Sequence, residues 1–181
     1  ILKPNFWKKI NLITISLMPL SLIVRLIILL KRYFIKKLTY KIPIICVGNI
    51  YIGGTGKTPL SINLAKELSI LKKKPVILRK YYKQHKDEFS IIENNFKHLI
   101  TNKNRHHGIM EAVEKGFDTV ILDDGFQDYK IKKNLSIVCF NNHLLGNGLV
   151  IPAGPLREGI DSLKFAQVAV INGLQDLSFE K

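Results

Sequence analysis

The side chains with the clearest chemical potential are Lys57 and Thr58, which close the loop Tyr51-Ile52-Gly53-Gly54-Thr55-Gly56-Lys57-Thr58. Glycines let backbone N–H groups converge on phosphate oxygens with no Cβ in the way, and a following helix N-terminus adds partial positive charge. A lysine in this place reaches β- and γ-phosphates, and the hydroxyl after it sits on Mg²⁺. The strict GxxxxGK[ST] spacing asks for glycine at position 51. This chain has Tyr51 there, with Gly53 and Gly54 following. A nucleoside-triphosphate site is the expectation.

Two further stretches carry candidate groups. TVILDDGFQD, residues 119–128, places Asp123 and Asp124 at the end of an apolar run, where a carboxylate can hold Mg²⁺ directly or through water. Like charges this close call for a cation or a shared proton. Alone, a strand ending in DDG is more often a turn; downstream of the glycine loop it reads as a metal-holding edge. NGLVIPAGPLREGI, residues 147–160, is a turn-rich loop presenting Arg157 beside Glu158, and alone it reads equally as a solvated ion pair. Asp87 by itself is a good helix N-cap followed by Glu88.

These groups need a scaffold that brings them to one edge. Apolar runs predict strands at Ile42–Val47, Pro75–Leu78, His98–Thr101, Thr119–Asp123, Leu135–Phe140 and Gln167–Asn172. Helical patterns fall at Lys57–Leu71, Asp87–Asn95, Gly108–Lys115 and, more weakly, Glu158–Lys164. Val/Ile/Leu runs separated by helices predict an α/β fold, a P-loop-type parallel sheet flanked by helices and buried on both faces. Ligands bind at the carboxyl ends of such strands, which gathers residues 48–58, 79–88 and 123–128 around one crevice.

Charge divides the chain in two. The net charge is +14, yet residues 1–41 hold nine Lys/Arg and no Asp or Glu, while the remainder holds 19 basic against 14 acidic residues. The basic excess therefore sits beside an apolar segment, INLITISLMPLSLIVRLIILL, residues 10–30. That placement argues against a nucleic-acid surface. The segment is long enough to span a bilayer, but Pro19 and Arg25 favour a shallow or hairpin-like insertion with lysines on anionic headgroups. A core helix is the competing reading. Residues 1–41 are thus expected as a membrane anchor and basic link, and residues 42–181 as the P-loop domain. Cys46 and Cys139 lie in strand-like runs and read as buried, inert thiols. The chain starts at Ile1, which leaves a fragment or a non-standard start open.

Taken in order, VGNIYIGGTGKTP, ILDDGFQ and IPAGPLRE resemble the tetraacyldisaccharide 4'-kinase family of lipid A biosynthesis, as does the anchor entered by Pro4-Asn5-Phe6-Trp7. The resemblance implies an enzyme on the cytoplasmic face of the bacterial inner membrane. It would move the ATP γ-phosphate to the 4'-hydroxyl of an acylated glucosamine disaccharide 1-phosphate, giving lipid IVA. Carried over by position, Tyr51–Thr58 would hold ATP, Lys57 and Asp124 would act in catalysis, and Thr58, Asp123, Asp124 and Glu158 would order Mg²⁺. Asp87 would activate the sugar hydroxyl.

Several positions depart from the family pattern. Arg79-Lys80-Tyr81-Tyr82 replaces an S-R-G-Y turn, Lys86 replaces the glycine before Asp87, and Asp128 replaces the histidine after DDGFQ. His106 and His107 read as a solvated basic patch in a polar loop, and none of the five histidines takes the family's partner position. The family continues into a second lobe beyond the length of this chain, so a shortened, weakly active or inactive nucleotide-binding remnant is the alternative expectation. A membrane-associated P-loop switch of the partition-ATPase kind is a third, and it leaves IPAGPLRE unexplained.

Overall fold

The computed structural model describes residues 4–82, 86–141 and 145–173. Helix α1 (Leu12–Phe34) is opened by a reciprocal cap: Asn11 Oδ1 accepts from the Thr14 N–H at 3.0 Å, and Thr14 Oγ1 accepts from the Asn11 N–H at 2.6 Å. It then runs unbroken through Pro19 for 23 residues, about 34 Å. The hairpin-like insertion expected from Pro19 and Arg25 is therefore not what forms. Pro19 costs one rung of the ladder, but the residues around it are strongly apolar and docking of Ser21 secures the next turn. By length and composition α1 can cross a membrane; its most apolar 18 residues have a mean hydropathy of 2.4, and only 11 % of them are buried. That exposure removes the core-helix reading, since Leu12, Leu22 and Leu26 all point outward.

Six parallel strands follow: β1 (Ile44–Gly48), β2 (Pro75–Lys80), β3 (Leu99–Asn102), β4 (Thr119–Asp123), β5 (Leu135–Asn141) and β6 (Val168–Asn172). Their spatial order is β3-β2-β4-β1-β5-β6. Parallel neighbours require crossovers. These are supplied by α2 (Lys57–Ile70), α3 (Lys86–Asn95) and α4 (Arg105–Glu114). Side chains alternate between two cores. Val47, Ile77, Ile121 and Ile137 pack with Ile62, Ala65 and Ile92 on one face. Cys46, Leu78, Leu122 and Val138 pack with Ile109, Ala112 and Phe126 on the other. Each predicted strand exists, though β6 at the sheet edge is largely exposed rather than buried on both faces. Residues 160–165 form a 3₁₀ turn rather than an α-helix.

Both cysteines are buried and unpaired, and burial pushes each thiol up to about 11. They are packing residues, as their strand setting predicts.

One close approach fixes where the site edge lies. A Cβ at Gly48, the last residue of β1, would stand 2.5 Å from Phe126 Cβ and 3.1 Å from the Phe126 nitrogen. No methyl fits, so the DDGF turn after β4 rests directly on the end of β1. Gly48→Ala is expected to lower the stability of the fold by about 1–3 kcal/mol through overpacking, read as a shift in the urea midpoint at unchanged slope.

Candidate functional site

The loop after β1 is organised by Asn49, a fully buried residue. Its Nδ2 donates to Tyr51 O at 2.6 Å, Thr55 Oγ1 at 3.1 Å and Gly53 O at 3.3 Å. Gly56 caps α2 at φ +80°, the left-handed region that glycine enters without strain. Tyr51 needs no such freedom. It is buried at 5 % exposure and pairs with Leu156 in an isolated antiparallel bridge. Beside it, the Ile52 N–H donates to Pro155 O at 2.9 Å and the Arg157 N–H to Ile50 O at 2.6 Å. The missing glycine is thus replaced by a core side chain, because this end of the loop runs extended along residues 155–157.

Lys57 and Thr58 open α2 directly beneath the end of β4. The Thr58 hydroxyl donates to Asp123 Oδ2 at 3.0 Å and the Ser61 hydroxyl to Asp123 Oδ1 at 3.1 Å. Arg79, at the end of β2, binds the same Oδ2 and donates to Thr58 Oγ1 at 3.0 Å. Asp123 is completely buried, and three elements meet on its carboxylate.

Asp124 turns the other way. Its φ of +55° places a non-glycine residue in the left-handed region, which aspartate tolerates better than most. The carboxylate accepts from Arg157 Nη1 at 2.9 and 3.2 Å, with Lys57 Nζ at 3.9 Å. Arg105 Nη2 donates to the carbonyls of Asp124 at 2.7 Å and Asp123 at 3.3 Å, so the strained turn is buttressed from behind. Gln127 Nε2 adds a bond to Asn49 O at 2.8 Å.

Arg105 was not visible in the sequence as more than part of a basic patch. It is 9 % exposed, opens α4 after the Asn104 cap, and lies 3.6 Å from Asp128. His106 is not loosely solvated either: its Nδ1 is 2.9 Å from the Tyr40 hydroxyl. A charged residue just after an Asn N-cap and before an apolar helix was the only available hint.

Above these groups lies an open crevice of about 780 Å³. Arg79, Lys80, Arg105, Asp123, Asp124 and Arg157 form its polar side, and Ile28 and Ile35 of the α1 region an apolar wall. Lys31, Arg79, Lys80, Arg105, Lys130 and Arg157 outnumber Asp123, Asp124 and Asp128 along it, which suits a polyphosphate. For Mg²⁺, Thr58 Oγ1 and the Asp123 carboxylate supply hard oxygens already converged to 3.0 Å; Arg79 holds both of these oxygens here and would give them up in part to the ion. These residues fit the ion. Among the described residues no three His, Cys, Asp or Glu side chains cluster.

One expected site residue pairs elsewhere, and the side chain of another is not described. Glu158 is fully buried against α1, where its Oε2 accepts from Arg32 Nη2 at 2.5 Å. Arg157 and Glu158, adjacent in the chain, serve opposite sides: one meets Asp124, the other a cation from α1. The structure therefore does not bring Glu158 to Thr58 and the aspartates. Asp87 falls in the first turn of α3, but its side chain lies outside the described residues, as do His85 and His143.

Burial works to raise the Asp124 carboxyl, but Lys57, Arg157 and Arg105 outweigh it and hold the group below its ordinary 3.8. Burial lowers Lys57, against the pull of Asp124. With the folded carboxyl titrating below the unfolded one, the folded state binds fewer protons between the two values. The Asp124 contribution is present above 3.8 and is lost as pH falls through the folded value. Asp124→Asn is expected to be less stable than the parent above about pH 5 and to converge with it in stronger acid, read from thermal unfolding across pH.

Comparison with known proteins identifies the family. The family described as tetraacyldisaccharide-1-P 4'-kinase matches residues 13–181. A tetraacyldisaccharide 4'-kinase of Pelagibacter ubique is 42% identical over 177 residues, covering 96% of this chain and 56% of the relative. One from Aliarcobacter butzleri is 34% identical, covering 94% and 59%. The crystal structure of LpxK from Aquifex aeolicus in complex with ATP superposes with a TM-score of 0.78 at 28% identity, over 89% of this chain and 59% of that one. The chain thus spans a little over half the length of these relatives, and it belongs to the tetraacyldisaccharide 4'-kinase family.

Proposed function

We propose that this chain carries the nucleotide site of a kinase that moves the ATP γ-phosphate to the 4'-hydroxyl of tetraacyldisaccharide 1-phosphate, giving lipid IVA. The observation that carries the reading is the junction of β1 and α2, where Thr58 bonds Asp123 and Lys57 lies 3.9 Å from Asp124, and both aspartates line a cationic crevice. ATP would lie in the loop from Tyr51 through Ile52, Gly53, Gly54, Thr55 and Gly56 to Thr58, with Lys57 on the β- and γ-phosphates. Mg²⁺ held by Thr58, Asp123 and Asp124 would neutralise charge developing on the transferred group. Glu158 would join that set only by leaving Arg32.

In the transfer, the sugar 4'-oxygen forms a bond to the γ-phosphorus as the bond to ADP breaks. The hydroxyl proton passes to a carboxylate, and Asp87 is the candidate by family position. Arg157, anchored on Asp124, is placed to steady phosphate oxygens. The substrate is anionic at its sugar end and apolar at its acyl end. The crevice has that same division, with arginines facing an α1 wall. We further propose that α1 seats the protein in the bacterial inner membrane with the sheet on the cytoplasmic side.

The direct test is ATP and Mg²⁺ with tetraacyldisaccharide 1-phosphate, where a phosphorylated lipid is expected. Nucleotide bound without any lipid product would instead mark a nucleotide-binding remnant. Lys57→Ala is expected to weaken nucleotide binding or turnover about 100-fold or more; undiminished activity would remove the loop assignment. Asp87→Asn should slow turnover about 10²–10⁴-fold with ATP affinity unchanged.

A further inference from the structure

Behind Tyr129, which also lines the crevice, lies a separate cavity of about 290 Å³. Arg32, Lys37, Lys132, Lys133 and Lys164 line it, and no Asp or Glu does. Among the described residues only Arg32 of these has an acidic partner, Glu158. Among the described residues Lys37, Lys132, Lys133 and Lys164 make no ion pair. Lys37, Lys132 and Lys164 are exposed and Lys133 feels Asp128 and Glu158 only at a distance, so the space is cationic and favours an anion from outside the chain.

Two of the cations are built into the fold. The Arg32 side chain is 10% exposed, and its guanidinium lies over Phe165 at 4.1 Å, Tyr129 at 4.6 Å and Phe126 at 5.5 Å. Its Nη1 is buried without a hydrogen-bond partner. Lys133 Nζ is 5.6 Å from the Phe126 ring centre and spends one donor on Phe126 O at 2.8 Å, leaving two unspent. Burial draws the Lys133 ammonium below the ordinary lysine range, as befits a cation without a full counter-ion.

The position of the cavity says what kind of anion could reach it. Arg32 lies in the last turn of α1 and Lys37 just after it. Tyr33 and Phe34 beside them are 83% and 75% exposed and packed edge to face at 5.1 Å. Exposed aromatics at the end of an apolar helix mark the depth of lipid headgroups.

The geometry points to a second anion site, in which the cavity bounded by Arg32, Lys133 and Lys164 takes the phosphate of a lipid headgroup or an equivalent free phosphate. This rests on the membrane seating of α1 proposed above, and it is distinct from the nucleotide loop. Lys132 and Lys164 are exposed at the mouth and would meet the phosphate first, while Arg32 and Lys133 form the inner wall.

Amine acetylation read by mass spectrometry tests it, with ADP present to fill the loop and Lys57 protection reporting that it does so. Phosphatidylglycerol vesicles are expected to slow acetylation of Lys132 and Lys164 severalfold more than phosphatidylcholine vesicles do, while Lys36 and Lys41 respond alike to both. The same protection by inorganic phosphate in detergent would support the site with the free anion as sufficient ligand. Equal slowing of Lys36, Lys41, Lys132 and Lys164 would mean diffuse attraction and overturn the proposal, as would no slowing at all. Binding to neither kind of vesicle would fail the membrane seating, and the phosphate arm then decides the site alone. In flotation, K132Q/K164Q is expected to lose about tenfold more affinity for phosphatidylglycerol vesicles than K36Q/K41Q, although both remove two charges near the surface. Equal losses would likewise overturn the site.

Discussion

A carboxylate taken fully out of water must be paired and hydrogen-bonded, or it will not stay ionised there. Asp123 meets that demand by drawing three side chains from two segments onto two oxygens: Thr58 and Ser61 from α2, and Arg79 from β2. The consequence is positional. The start of α2 cannot drift from the end of β4 without stranding a buried charge, so the phosphate loop and the acidic edge stay in register. Asp124, one residue on, is freed to face the crevice because Asp123 absorbs the structural duty.

The stretch from Asn147 to Asp161 is a bracket between α1 and the loop. On one side Ser21 Oγ donates to Val150 O at 2.7 Å and accepts from the Ala153 N–H at 2.9 Å, Trp7 Nε1 donates to Pro152 O at 2.9 Å, and Arg25 meets Asp161 at 2.9 Å. On the other, Leu156 and Arg157 lie along Ile50 and Tyr51 and deliver a guanidinium to Asp124. The apolar helix is thus mechanically continuous with the nucleotide loop through about a dozen residues. The Arg32–Glu158 pair, walled by Phe126, Tyr129 and Phe165, is the more buried of the two ion pairs from α1.

How much was legible divides along local and non-local lines. Strands showed themselves because a parallel sheet buried on both faces needs unbroken Val, Ile and Leu, as in β2 and β4. The loop showed itself because glycine, lysine and threonine at fixed spacing answer to one ligand. Arg105 and Asn49 did not, since each acts on backbone carbonyls supplied by remote segments and carries no local pattern. Glu158 misled for the related reason that neighbours in an extended chain face apart, and only α1 reveals which side its carboxylate serves. Pro19 argued for a broken helix on local grounds, and the surrounding apolar turns and the Ser21 dock outweighed it.

Tyr51 has a mechanical consequence. A glycine at the head of a phosphate loop lets both ends flex, whereas here the first residue is clamped between the sheet and Leu156. Gly53 and Gly54 come next, and a Cβ at Gly54 would meet nothing within 4 Å. The middle is held as well, with Gly53 O on Asn49 Nδ2 at 3.3 Å and Gly54 O on Asn141 Nδ2 at 2.8 Å, so the loop offers an incoming nucleotide a cradle whose shape is already set.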